Sequence, residues 1–305
     1  MKIVDYIFAA RPLLLLPVWS IYLVTRYYLA DSAKYGLEVT DISMLAALTF
    51  MAAGSYYINQ IADLESDILN NKLGFLQKDL VTRRGLIRGF FALSALSMII
   101  VVVRFSAWDL LIVEQLFILG VVYSLRPFRA KDRPIGGFLV NAYGYGFLIP
   151  LTVHYWMFHI KYVHVTDLRL PAYFFCTVGA IYLLTTISDR PGDLKTGKRT
   201  AGVLLPQPLV LLFALILLSL SAWLAYNGGF DYLLYISIAA CGPVIGAFFV
   251  KSEIAVLIAT KLPILLLTIQ AGYYYHEYLW FIVAVVISTR LYYKYRFGIT
   301  YPRLT

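Results

Sequence analysis

The chain has 305 residues, of which 61% are hydrophobic and 14% charged, and its net charge is +9. A soluble domain usually carries about 25% charged residues, so the composition excludes a soluble globular protein and indicates a polytopic membrane protein. The basic residues fall between apolar segments. Topology and anionic partners therefore account for them, and no nucleic-acid partner is expected.

The N-terminal stretch "MKIVDYIFAARPLLLLPVWSIYLV" joins a basic residue to an apolar run without a clear small-residue cleavage site, and reads as a retained first helix. Apolar segments then fall near 12–30, 42–62, 86–105, 108–124, 135–157, 171–188, 205–226, 231–250, 254–275 and 278–294. Several are shorter than the roughly 20 residues that a perpendicular span needs. The expected fold is all-α, a polytopic membrane bundle of nine or ten transmembrane helices around a central cavity. No long polar linker or low-complexity stretch interrupts it, so residues 1–305 read as a single domain.

Three loops concentrate the positive charge: Lys72, Lys78, Arg83, Arg84 and Arg88; Arg126, Arg129, Lys131 and Arg133; Arg190, Lys195, Lys198 and Arg199. The opposite loops hold few cations, among them Lys34, Lys161 and Arg169. The positive-inside rule puts the three basic loops in the cytoplasm, at the cell membrane if the source is prokaryotic. The basic ending "RLYYKYRFGITYPRLT" favours an even helix count and a cytoplasmic C-terminus. Cys176 and Cys241 lie in separate apolar segments and suit packing better than a disulfide. His154, His159 and His164 keep no metal-ligand spacing and read as residues of the non-cytoplasmic interface. Glu114, Asn141 and Lys261 lie inside expected spans, where polar groups usually face a cavity or a partner.

The chemistry gathers in the basic loops. In "NQIADLESD" (59–67), Asn59, Asp63 and Asp67 recur every fourth residue. Each is offset by only about 40° from the last on a helix, so all three share a face, while Glu65 points elsewhere. A row of carboxylates repels itself unless a cation neutralises it. Hard oxygen ligands suit Mg²⁺, which commonly bridges carboxylates to phosphate. A second acidic pair, Asp189 and Asp193 in "TTISDRPGD", has the same register 126 residues later. Pro191 and Gly192 disfavour a regular helix there, so Asp193 is expected on a loop or at a new helix start. Between the two sites, "YSLRPFRAKDRP" supplies Arg126, Arg129 and Lys131, and Lys198 follows the second pair. Such cations can hold phosphate oxygens. Carboxylates for metal, cations for phosphate and an apolar cavity match the parts of a long isoprenoid diphosphate.

With these motifs the sequence resembles the UbiA superfamily of intramembrane prenyltransferases. "NQIADLESD" matches the first acidic motif of that family, "DRPGD" the second, and "YSLRPFRAK" (123–131) the segment between them. Gln60 stands where the family usually has aspartate, and four apolar segments follow the second motif where nine-helix members have three. The resemblance implies Mg²⁺-dependent transfer of a polyprenyl group from its diphosphate to a small aromatic or lipid acceptor through an allylic cation. It implies metal ligands in Asn59, Asp63, Asp67, Asp189 and Asp193. It implies diphosphate contacts from Asn59, Arg126, Arg129, Lys131 and Lys198, and a place for Tyr123 near the diphosphate or the cation. The partners are then a polyprenyl diphosphate, an unidentified acceptor and membrane lipids. Two other readings compete: a cation-coupled transporter, whose carboxylates belong near the bilayer midplane on broken helices, and a lipid-binding protein without catalysis.

Overall fold

In a computed structural model the chain is described over residues 2–30, 36–69, 74–158, 168–250 and 252–301. Lys34, Lys72, His159, Lys161 and His164 lie outside these residues. All regular structure among the described residues is helical. The helices are α1 (Lys2–Ala9), α2 (Leu16–Leu29), α3 (Val39–Leu69), α4 (Arg83–Arg104), α5 (Ala107–Ser124), α6 (Pro134–Asn141) and α7 (Ile149–Phe158). They continue with α8 (Arg169–Lys195), α9 (Ala201–Leu204), α10 (Gln207–Gly228), α11 (Asp231–Val250), α12 (Glu253–Tyr274) and α13 (His276–Phe297). A 3₁₀ turn at Pro12–Leu15 leads into α2, and a π-helical segment at Ala142–Leu148 joins α6 to α7 in one span.

Nine of the described helical spans are long and apolar enough to cross a membrane. The chain is an integral, multi-pass membrane protein. α13 is as long as several of the nine, about 33 Å at 1.5 Å per residue, but more polar. It runs back along the bundle. The hydroxyl of Tyr278, near its start, bonds Ser20 of α2 at 2.8 Å, and Arg296, near its end, meets Asp5 of α1 at 3.0 Å. The first and last helices therefore finish at the same end of the bundle.

Local sequence sets the helix ends. Ser106 and Asp109 form a reciprocal capping box at the start of α5, and Thr82 caps α4 through the Gly85 amide. The first span breaks at Arg11, whose φ of 53° is left-handed, and restarts at Pro12. Contrary to the sequence expectation, α8 continues through Pro191 and Gly192, so Asp193 is helical. Proline forfeits its own amide bond and crowds the carbonyl four residues before it, but the end beyond it is secured. Gly197, at φ 68°, donates to the Leu194 carbonyl at 3.3 Å, and the Lys198 amide donates to the Asp193 carbonyl at 3.0 Å.

Lipid offers no hydrophobic drive between helices, so close packing and interhelical hydrogen bonds hold the bundle. Tyr173 of α8 donates to the Leu233 carbonyl of α11 at 3.0 Å, and Ser221 and Ser237 tie α10 to α11 at 2.8 Å. A Cβ on Gly146 would lie 2.5 Å from the Phe174 carbonyl oxygen, and one on Gly202 would lie 2.0 Å from that of Thr186. Glycine thus sets how near the π-helical segment and α9 come to α8. Large apolar side chains such as Phe249, Trp223 and Trp280 face outward, as a lipid-facing surface requires. Glu114 and Lys261 are exposed rather than turned to a cavity, whereas His154 is buried rather than interfacial. Both cysteines are free.

Candidate active site

α3 carries Asn59, Asp63 and Asp67 on its last turns, and α8 carries Asp189 and Asp193 on its own last turns. Two short connections lie between them. After α5 the chain turns at Arg129, with φ 39°, into a 3₁₀ turn at Ala130–Asp132 that holds Lys131. After α8 the Gly197 turn brings Lys198 back over its helix. The Arg199 amide donates to the Asp132 carbonyl at 3.0 Å, so the two connections are joined through the backbone.

Lys131 is buried and places its ammonium 2.7 Å from Asp63 Oδ1 and 2.8 Å from Asn59 Oδ1. Ser124 also donates to Asn59 Oδ1, at 3.3 Å. Lys198 reaches both helices: its Nζ is 3.4 Å from Asp63 Oδ1 and 3.8 Å from Asp193 Oδ1. The second oxygen of Asp193 accepts from Thr200 Oγ1 at 2.9 Å. Asp67 lies 3.9 Å from Nη2 of Arg11, at the break between α1 and the 3₁₀ turn. Asp189 is exposed one turn before Asp193, within electrostatic reach of Tyr123 and Tyr182. The two lysines feel opposite balances. Burial pushes Lys131 below the usual lysine value despite the pull of Asp63. Burial acts the same way on Lys198, but Asp63, Asp193 and Asp132 together overcome it and raise its pKa.

The remaining expected residues divide. The Tyr123 hydroxyl lies near Asn141, Asp63 and Asp189. Arg129 donates to the Ala62 carbonyl at 3.0 Å and lies 3.0 Å from Asp132, so its guanidinium binds the loop to the α3 backbone. Arg126 is exposed, and no described contact ties it to the cluster. Glu65 is exposed, off the acidic face. Gln60 is buried and donates to the Ala9 carbonyl of α1 at 2.5 Å. It is a packing residue beside the site.

Several site residues escape a reading of the motifs. Arg11 reads as a flank of the first apolar segment, and only its place before Pro12 hints at a break. Thr200 gives no sequence signal. A tyrosine group lies next to the carboxylates: Tyr56 donates to the Leu14 carbonyl at 2.8 Å and shares a 3.0 Å hydrogen bond with Tyr145, which neighbours Tyr123. Tyr56 and Tyr145 lie in apolar segments outside the motifs, and only Tyr123 is marked by one.

Oxygen atoms from Asn59, Asp63 and Asp193 thus converge on the positions of two ammonium groups, at the place where the acidic ends of α3 and α8 face each other. Such a donor set fits a hard divalent cation. Among the described residues, no three His, Cys, Asp or Glu side chains are drawn together closely enough to hold a metal as they stand. The lysines occupy the intervening space.

A model of the UbiA prenyltransferase family matches residues 14–254. The chain belongs to the UbiA prenyltransferase family. No curated protein matches it. Among solved structures, a UbiA homolog from Archaeoglobus fulgidus bound to GPP and Mg²⁺ superposes with a TM-score of 0.67 at 19% identity, covering 88% of this chain and 98% of that one. The apo UbiA homolog from Aeropyrum pernix K1 gives a TM-score of 0.66 at 16% identity, with coverages of 85% and 96%. A digeranylgeranylglyceryl phosphate synthase structure gives 0.65 at 16%, with coverages of 88% and 98%. At these identities the structures establish a shared UbiA fold. α13, which meets α1 at the site end, lies beyond the region that the family model matches.

Proposed function

We propose that the chain is an Mg²⁺-dependent intramembrane enzyme that transfers a polyprenyl group from its diphosphate to a small aromatic or lipid acceptor. One observation carries this reading: Lys198 touches Asp63 of the first acidic motif and Asp193 of the second, so motifs 126 residues apart in sequence share one charged centre. The Archaeoglobus fulgidus homolog bound to DMAPP and Mg²⁺ supports the choice of donor and ion.

Asn59, Asp63, Asp67, Asp189 and Asp193 would hold the metal. Bound there, Mg²⁺ neutralises diphosphate oxygens and favours departure of the leaving group. Lys131 and Lys198 meet the charge that grows on the diphosphate as the allylic C–O bond breaks and its electron pair stays on oxygen. Fixed cations act most strongly where charge develops. Arg129 holds the loop that presents Lys131, and Arg126 stands at the margin. Tyr123, beside Asp63 and Asp189, would stand near the diphosphate or the electron-poor allylic carbon. The acceptor then bonds to that carbon and releases a proton. An apolar cleft lies between α2, α8, α11 and α12, lined by Ile21, Phe174, Ile181, Ile236 and Leu267 among others. It offers the prenyl chain a surface that excludes water.

The acidic groups sit at helix ends, a placement that suits an enzyme at a membrane face better than a transporter. The basic loops of that end support a cytoplasmic site. The test is diphosphate release from a panel of prenyl diphosphates by purified protein with Mg²⁺. Asp63→Asn and Asp193→Asn are expected to lower turnover at least about 10³-fold, the scale of losing a main electrostatic stabiliser, in protein that remains folded. Absence of both prenyl diphosphate binding and diphosphate release by the wild type overturns the proposal.

A further inference from the structure

Among the described residues, the acidic side chains are not gathered into a ready metal site. Cations from different elements separate them: Lys131 from the 3₁₀ turn, Lys198 from the loop after α8, and Arg11 from the break before α2. The two lysines differ from Arg11. Their side chains are 6% and 17% exposed, against 33% for Arg11, and each contacts two residues of the acidic motifs. They hold the space into which the oxygens of α3 and α8 converge.

We propose that Lys131 and Lys198 are internal counter-ions of the acidic motifs. They exchange carboxylate oxygens for diphosphate oxygens when metal and donor arrive together. The inference rests on the prenyl diphosphate reading given above.

The reason is charge balance in a buried setting. A divalent cation entering alone must take Asp63 and Asn59 from Lys131, leaving a buried ammonium without its partners, an arrangement that proteins rarely tolerate. A diphosphate entering alone would bring its charge up to a row of carboxylates. With both present, the carboxylates turn to the metal and each ammonium turns to phosphate oxygens, to which it makes charge-assisted hydrogen bonds. Metal and diphosphate binding are therefore coupled, and linkage requires each to strengthen the other by the same factor. The lysines also keep Asp63 and Asp193 from repelling each other before the donor binds.

The experiment measures equilibrium binding of Mn²⁺, followed by electron paramagnetic resonance, to the full chain in detergent. Binding is measured with and without geranyl S-thiolodiphosphate, a donor analogue that resists ionisation. For the wild type, the analogue is expected to tighten Mn²⁺ binding by about 10-fold or more, with the same factor in reverse, within the usual range of coupling. In Lys131→Met, Mn²⁺ alone is expected to bind about 10-fold tighter than in the wild type, with the coupling reduced to within roughly 3-fold. Lys198→Met, at the more exposed lysine, should move both quantities in the same direction and provides the test should Lys131→Met fail to fold. If the analogue still binds but neither variant takes up Mn²⁺ alone more tightly than the wild type, the counter-ion role is overturned and the prenyl diphosphate reading survives. If the wild type binds neither probe, both fall together.

Discussion

Asp5 and Arg296 meet as a two-pronged ion pair, with Arg296 Nε 3.0 Å from Oδ1 and Nη2 3.0 Å from Oδ2. Tyr292 adds a 2.5 Å hydrogen bond to Oδ1, and its ring stacks on Phe8. The pair joins α1 to α13 with the carboxylate buried. Removing the guanidinium strands that carboxylate. Arg296→Met is expected to lower the unfolding free energy by about 2–3 kcal/mol, short of the roughly 3–5 kcal/mol of a fully buried pair because Arg296 is 27% exposed. Asp5→Asn placed on top should recover part of the loss. Thermal unfolding in detergent, followed by tyrosine and tryptophan fluorescence, measures both.

The glycine contacts give a second prediction. Gly146→Ala and Gly202→Ala each drive a methyl group into the α8 backbone, so each is expected to destabilise by about 1–3 kcal/mol or more, as overpacking does. Gly242→Ala is the control. A Cβ there meets nothing within 4 Å, and alanine in a helix gains up to about 1 kcal/mol over glycine. The same unfolding assay should place both below the wild type and Gly242→Ala at or above it.

Thr200→Val removes the hydroxyl that fixes one oxygen of Asp193 while keeping the side chain's shape. A fall in kcat/KM of about 10-fold, or roughly 1.4 kcal/mol, is expected, together with a higher Mg²⁺ requirement and a stability loss of about 1–3 kcal/mol for the buried Asp193 oxygen left without its donor. Steady-state kinetics at graded Mg²⁺ concentrations check this.

Gln60→Asp restores the residue usual in the family but takes away the donor to the Ala9 carbonyl and places a carboxylate near Asp67. It should cost about 1–3 kcal/mol of stability, the range for a buried group left unsatisfied, without lowering the Mg²⁺ requirement. A gain in metal affinity would show that Gln60 belongs to the metal-binding face after all.

Arg126→Ala should leave kcat/KM within about 2-fold, because exposed cations interact weakly through water. Lys131→Ala, assayed alongside, should fall far further.

Much of this architecture is legible in the sequence because bilayer thickness fixes helix length and helical geometry fixes which residues share a face. The ten apolar segments correspond to helical spans, and the spacing of Asn59, Asp63 and Asp67 gives their common side. Reading stops where tertiary contacts decide. Pro191 resembles a helix end until the Gly197 turn and its two backbone bonds are seen. Arg11 resembles a flank until the chain's left-handed turn aims it at Asp67. Gln60 looks like a damaged metal ligand until its amide is found on α1. Arg126, Arg129 and Lys131 stand together in one motif, yet one is exposed, one braces a helix and one is buried against Asp63. Local sequence does not distinguish these three fates.

The hydrogen bond from the Arg199 amide to the Asp132 carbonyl has a consequence for how this protein can vary. It clamps two surface segments, far apart in the chain, into one plate, so the separation between the Lys131 and Lys198 side chains is inherited from main-chain geometry. An insertion or deletion in either segment would shift both charges at once, and neither segment is free to drift in length on its own.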